Sequence, residues 1–188
     1  MPIELSEPTR AGLPVLRQQR IGETAHLAIV RYEQRNRIHN GEPIPNGNRL
    51  DGTPKFKQEL VIYGIVMPDT TMEAKLAGEG GVPKPGDQVR LILKAKGYSD
   101  YLEARRQHRC GKLSVGDVLI LQTDRAQAYD QSGAPKGPPI TNQAEVEKLP
   151  RAVTVGFYGP ISLHEGSDKG YIAAAEDAYN AHQSISLE

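Results

Sequence analysis

Short runs of apolar and β-branched residues, each bounded by glycine, proline or aspartate, recur along the chain. Such runs are typical of β-strands with at least one buried face, whereas an amphipathic helix repeats every 3.6 residues. Two of the runs follow a Gly-Asp pair, which favours a turn because glycine tolerates a positive φ angle and aspartate bonds its own backbone. The pattern predicts strands over residues 24–31, 56–67, 89–96, 118–123 and 152–163.

The segment between the third and fourth predicted strands has a different pattern. Residues 97–112, GYSDYLEARRQHRCGK, show no alternation, and Ser99 or Asp100 is a suitable cap for a short helix that reaches about Gln107. A strand, a short helix and a second strand form the connection that closes one end of small β-barrels. This connector also carries Arg105, Arg106, Arg109 and Lys112.

The remaining segments are polar or rich in turn-forming residues. Residues 32–57 are predicted to form a long exposed excursion with a turn at Asn46-Gly47. We expect three parts along the chain: an extended N-terminal arm over residues 1–22, a β-barrel domain over 23–163 and an acidic, mobile C-terminal tail over 164–188. Within the tail, residues 171–179 have a helical pattern.

Composition supports a β-dominated class. The 188 residues include 19 Gly and 14 Pro but no Trp and only 2 Phe, which indicates short elements joined by many turns. The single cysteine, Cys110, excludes an internal disulfide framework and favours a reducing cytoplasm. No stretch of the sequence has the apolar length that we expect of a membrane span or a signal peptide.

Four or five strands, a glycine at Gly64 where a strand can bend, and one helix between strands together describe a small barrel. The predicted fold class is therefore mainly β, a small Greek-key barrel of the oligonucleotide-binding type, the OB-fold, with one short connecting helix and long loops. The strand count alone is equally compatible with an SH3-like barrel or a fragment of a jelly roll.

The charge is unevenly distributed, although the formal net charge is zero. Residues 164–188 carry five acidic residues and one lysine, so this tail has a charge of −4 and the preceding residues have +4. An acidic tail after a basic body can compete with DNA for a basic groove or recruit a protein partner. A solvated, disordered end explains the same composition.

Cations and aromatic residues stand side by side at several places, as a single-stranded nucleic acid requires. Cations neutralise phosphates, and aromatic rings provide faces on which bases stack. Phe56 and Tyr63 are expected in the core, while tyrosines with polar neighbours are candidate platforms or partly buried residues bonded through their hydroxyls. The predicted nucleic-acid-binding residues are Arg31, Tyr32, Arg35, Lys55, Lys57, Lys94, Lys96, Tyr98, Tyr101, Arg105, Arg106, Arg109, Lys112, Arg125 and Tyr129.

Catalytic chemistry has little support in the sequence. His108 and Cys110 are two residues apart and do not face each other on a helix. One thiolate and one imidazole do not complete a zinc site. We expect no enzymatic activity, no metal and no cofactor.

Four stretches resemble a family of small proteins encoded by actinobacterial viruses and prophages, some of which are described as probable single-stranded DNA-binding proteins. They are RAGLPVLRQQRIGETAHLAIVRYE, QELVIYGIVMPDTTMEA, GDQVRLILKAKGYSDYLEARRQHRCGKLSVGDV and VGFYGP. The resemblance covers residues 10–163 and leaves the tail outside. It implies a role in phage DNA metabolism, such as replication or recombination, and adds no residue roles.

Two hypotheses follow. In the first, the protein binds single-stranded DNA, or alternatively RNA, without sequence specificity through a basic groove with tyrosine stacking. In the second, it is a phage structural or assembly protein, a virion-associated β-barrel without nucleic-acid activity. Both are compatible with a homo-oligomer in the cytoplasm, that of the host cell if the protein is phage-encoded, and neither involves a membrane.

Overall fold

The computed structural model describes residues 12–76, 79–108 and 112–184. Its strands are β1 (Val15–Arg17), β2 (Thr24–Asn36), β3 (Ile38–His39), β4 (Glu42–Pro43), β5 (Pro45–Asn48), β6 (Pro54–Phe56), β7 (Gln58–Val66), β8 (Glu73–Leu76), β9 (Glu79–Gly81), β10 (Gln88–Lys94), β11 (Val118–Gln122), β12 (Arg125–Tyr129), β13 (Thr154–Tyr158) and β14 (Ile161–His164). Its helices are α1 (Ala95–Gln107), α2 (Gln143–Glu147) and α3 (Lys169–Ser184).

Eight strands form one mixed sheet in the order β14-β11-β2-β7-β10-β1-β8-β9. Every neighbouring pair is antiparallel except β1 and β10, which run parallel. The pairs β3–β4, β5–β6 and β12–β13 form separate two-stranded ribbons. The first two ribbons lie between β2 and β7 in the chain and form most of the predicted excursion. Residues 32–36 extend β2 instead, and the predicted turn at Asn46-Gly47 lies within β5.

The period-two pattern of the strands gives the sheet two apolar faces. On one, which we call the α1 face, Leu27, Ile62 and Leu91 pack in a cluster that includes Tyr101 of α1. On the other, the α3 face, Val30 and Tyr63 pack in a cluster that includes alanines of α3. Each helix therefore covers one side of the same central strands.

Two glycines permit close contacts that a side chain would prevent. A Cβ atom on Gly64 would lie 3.0 Å from the Cβ of Leu27, and the strand opposite Gly64 has a bulge between Ile29 and Arg31. A Cβ atom on Gly159 would lie 1.6 Å from the carbonyl oxygen of Gln122. Gly159 and Pro160 lie between β13 and β14, into which the predicted strand 152–163 is divided.

The mainly β class is confirmed, but the predicted closed barrel is not found. Within the described residues the end strands β14 and β9 do not pair with each other. Part of the expected N-terminal arm joins the sheet instead, since β1 pairs with β10 and the amide of Arg90 donates to the carbonyl of Pro14 over 2.8 Å. Burial of Leu16 among the apolar residues of the α1 face accounts for this placement.

Helix α3 corrects the expectation of a mobile tail for residues up to 184. The predicted helix over residues 171–179 exists and is longer, and Ala175 and Ala178 are buried against the sheet. The small alanine side chains allow the helix to approach the strands closely. None of the helices in the described ranges combines the length and apolar character needed to cross a bilayer.

Candidate nucleic-acid interface

The cations of the connector helix α1 contact groups of the protein itself. The guanidinium of Arg105 lies 4.8 Å from the centre of the Tyr32 ring, and its Nη2 donates to the Tyr32 hydroxyl over 2.9 Å. Arg106 lies 3.3 Å from a carboxylate oxygen of Glu103, one helical turn earlier. The predicted helix that reaches Gln107 is confirmed, but it begins at Ala95, so Ser99 and Asp100 lie inside it and do not cap it. Arg105 and Arg106 both contact neighbouring side chains.

Two further predicted cations pair with acids that are close in sequence. Lys96 forms an ion pair with Asp100 within α1. The Nε of Arg125 donates to Asp124 over 3.1 Å, and its guanidinium lies 5.1 Å from the centre of the Tyr158 ring. The hydrogen bond to Asp124 raises the pKa of Arg125.

Arg31 lies on the α3 face beside α3. Its guanidinium is 4.2 Å from the centre of the Tyr63 ring and 3.6 Å from a carboxylate oxygen of Glu33. The ring of His182 from α3 lies 5.9 Å from the same Tyr63 ring. This environment holds Arg31 within the packing between helix and sheet, and Tyr63 is a core residue as predicted.

Two predicted stacking platforms pack against other parts of the protein. Tyr101 is only 1% exposed, so its assignment as a platform is wrong. Burial raises the pKa of its hydroxyl, an effect that the nearby Arg105 partly opposes. The ring of Tyr129 is half-buried against Gly156, whose Cβ position lies 3.2 Å from it.

Three adjoining hollows gather a different set of cations. The first, the Tyr98 hollow, has a volume of about 350 Å³, and the second, the Glu59 hollow, has about 490 Å³ and shares Arg37 with it. The third, the Phe157 hollow, has about 580 Å³ and shares Lys94 with the second. Each hollow shares a lining residue with the next, so the three adjoin. We call the three hollows together the basic track.

Charge in the basic track is strongly one-sided. Glu59 is the one carboxylate among the residues that line the three hollows. Arg35 and Lys94 lie 2.8 Å and 3.7 Å from its two carboxylate oxygens. The cations that line the track are Arg17, Arg35, Arg37, Lys57 and Lys94.

Strand pairing places the centre of the track. Arg35 of β2 is opposite Glu59 of β7, which is in turn opposite Lys94 of β10. These three residues therefore form a row across the sheet. Glu59 and Lys94 are next in sequence to Leu60 and Leu93, which are buried on the α1 face. Because neighbouring residues of a strand point to opposite faces, the row lies on the α3 face. It lies beyond the part of the sheet that α3 covers.

The track contains part of the predicted site and several residues that the prediction missed. Arg35, Lys57, Lys94 and Tyr98 line it, whereas Lys55 and Lys112 are exposed outside its lining and Arg109 lies outside the described residues. The missed lining residues are Arg17, Arg37, His39 and Phe157. The only sequence signals for them were the positive charges in the arm and the excursion and the aromatic pair Phe157-Tyr158.

Comparisons with known proteins add no information to this geometry. No protein-family model, no curated protein and no solved structure matches the chain. Among the side chains of the described ranges, no three His, Cys, Asp or Glu residues come together in a way that would hold a metal ion. The function is therefore inferred from the basic track.

Proposed function

We propose that the protein binds single-stranded DNA through the basic track, without a strict sequence requirement. The observation that carries this proposal is the excess of five lining cations over one carboxylate across three adjoining hollows that also contain aromatic side chains. Cations attract the phosphates, and Phe56, Tyr98 and Phe157 supply ring surfaces for bases.

The chain connectivity supports the proposal. An oligonucleotide-binding fold has five strands with its helix between the third and the fourth, and it binds nucleic acid on strands 2 and 3 beside the loops 1–2 and 4–5. Here β2, β7, β10, α1, β11 and β14 follow one another in that way. In such an arrangement the row Arg35–Glu59–Lys94 would cross the equivalents of strands 1, 2 and 3, between the excursion and β13. We infer an open variant of that fold.

Exposed apolar residues of the excursion favour the second candidate function, that of a structural or assembly protein. Leu50 lies at the tip of the β5–β6 ribbon with its side chain entirely exposed, and Ile38 is 57% exposed. Such side chains are suited to contacts with another protein subunit. A homo-oligomer is proposed in either case.

Fluorescence anisotropy of labelled oligo-dT at two salt concentrations tests the first proposal. The test variant replaces Arg17, Arg37 and Lys94 with alanine. Its matched control replaces Arg105, Arg106 and Lys112, so both variants lose the same formal charge. Within the described residues, Arg17 and Arg37 form no ion pair with a carboxylate, so both are available to phosphate.

The track variant is expected to lose about 100-fold in affinity if each cation contributes about 1 kcal/mol. The slope of log affinity against log salt should fall by about 2, since a single strand contributes about 0.7 per phosphate contact. The control variant should stay close to the wild type. Absence of oligo-dT binding by the wild type, together with elution as a large assembly, would support the structural role instead.

A further inference from the structure

The Tyr98 hollow has the composition of a pocket for a flat heterocycle. Phe56 and Tyr98 are half-buried in its wall, with Arg37 and Lys57 beside them. Its volume of about 350 Å³ is at the lower end of the range of ligand pockets, which suits a single nucleobase. The aromatic side chains can stack on the base while the cations contact its phosphate.

Gln58 gives this hollow a defined hydrogen-bonding character. Its side-chain Nε2 donates both to Oδ1 of Asn36, its cross-strand partner, and to the carbonyl of Phe56. An amide nitrogen has two hydrogens, so both are committed. The atom of the Gln58 amide that remains for a ligand is Oε1, which can only accept.

The backbone beside Gln58 is also unusual. Ala95, which lines the same hollow, has a φ angle of +46°, a left-handed conformation that residues with a side chain rarely adopt. Strained positions of this kind cluster at ligand sites, where the surrounding structure maintains them. Ala95 directs the chain from β10 into α1 and so brings Tyr98 into the wall.

We propose that the Tyr98 hollow holds one base of the bound strand and that Gln58 Oε1 selects a base with an exocyclic amine. Cytosine, adenine and guanine each carry such an amine, whereas thymine carries a carbonyl at the position of the cytosine amine and has only its ring N3–H to donate. The hollow therefore favours an amine-bearing base over thymine at one position of an otherwise tolerant site. This inference rests on the proposed function, since it concerns one position along the basic track.

The test compares the affinities of oligo-dC and oligo-dT of equal length at pH 8, which carry the same phosphate charge. Wild-type protein is expected to bind oligo-dC about 3- to 10-fold more tightly than oligo-dT, which corresponds to the net free energy of one neutral hydrogen bond. Gln58→Met removes the acceptor at similar side-chain length and should reduce this ratio to about one. The matched control is Gln34→Met, which changes an exposed glutamine of β2 outside the hollow and should keep the preference.

The outcomes separate the two proposals. Equal, salt-dependent binding of both oligonucleotides overturns the pocket and leaves the proposed function intact. A preference for oligo-dC that persists in Gln58→Met overturns the role of Gln58. No binding of either oligonucleotide overturns both proposals.

A second measurement on the wild type does not depend on the folding of a variant. An oligo-dT that carries one 5-iodocytosine is irradiated in the complex, and the crosslinked peptide is identified by mass spectrometry. Crosslinking to Phe56 or Tyr98 supports the pocket. Crosslinking only to residues outside the Tyr98 hollow overturns it.

Discussion

Two groups of cations on this protein meet different surroundings. In α1, Arg105 contacts Tyr32 and Arg106 contacts Glu103, so each is engaged by a neighbouring side chain. In the basic track, five lining cations share one carboxylate, Glu59. Positive residues are denser along the sequence of α1, but the excess of positive over negative charge that a phosphate would meet is greater in the track.

The difference follows from where the acids lie. The partners of Arg106, Lys96 and Arg125 are one to four residues away in the chain, so local geometry is enough to bring the charges together. The track cations come from separate strands and meet only through the pairing of the sheet. A cluster of cations in sequence is therefore weak support for a polyanion site unless its nearby acids are also considered.

The largest expected effect is a difference in stability between alanine variants of two tyrosines of α1, Tyr101 and Tyr98. Tyr101→Ala should lower the free energy of unfolding by about 3–5 kcal/mol, because it removes a ring that is 1% exposed in the core. Tyr98→Ala should cost much less stability but weaken oligo-dT binding by about 1–3 kcal/mol through lost stacking. Urea unfolding and anisotropy measure the two effects. Similar losses of stability for both variants would show that Tyr98 is a core residue as well.

Much of the fold could be predicted from the sequence because local patterns determine it. Short apolar runs bounded by turn residues predict β2, β7, β10 and β11, and the segment without alternation between two of these runs predicts α1. The order of the sheet was not accessible in the same way. The pairing of β1 with β10 and the contact of Gly159 with Gln122 join residues far apart in the chain, and no period in the sequence indicates them.

The site was less predictable than the fold. Arg35 and Lys94 were predicted, but Arg17 belonged to an arm with no visible partner and Arg37 to a long polar tract. Their common location depends on which strands are neighbours. Tyr101 was misassigned because its sequence neighbours are polar, whereas its side chain faces the sheet from a helix.

The second prediction sharpens the comparison by removing the carboxylate from the track. In Glu59→Gln, Arg35 and Lys94 lose the carboxylate with which they pair, so their charge is available to phosphate. The affinity for oligo-dT should therefore rise about 5-fold, and the slope of log affinity against log salt should steepen by up to about 0.7. Glu103→Gln is the matched control, since it makes the same charge change beside Arg106 of α1. Anisotropy titrations at two salt concentrations measure both variants. Equal gains would indicate a general effect of net charge.

The smallest effect is expected for Arg105→Ala. The contact between its guanidinium and the Tyr32 ring is partly exposed, where cation–π interactions contribute about 0.5–1 kcal/mol, so the free energy of unfolding should fall by no more than about 1 kcal/mol. Oligo-dT affinity should stay within about twofold, since a phosphate would have to displace Tyr32 to reach this guanidinium. Tyr32→Phe retains the ring and serves as the control. A loss of affinity comparable with that of the track variant would place α1 in the interface and remove the distinction between the two groups of cations.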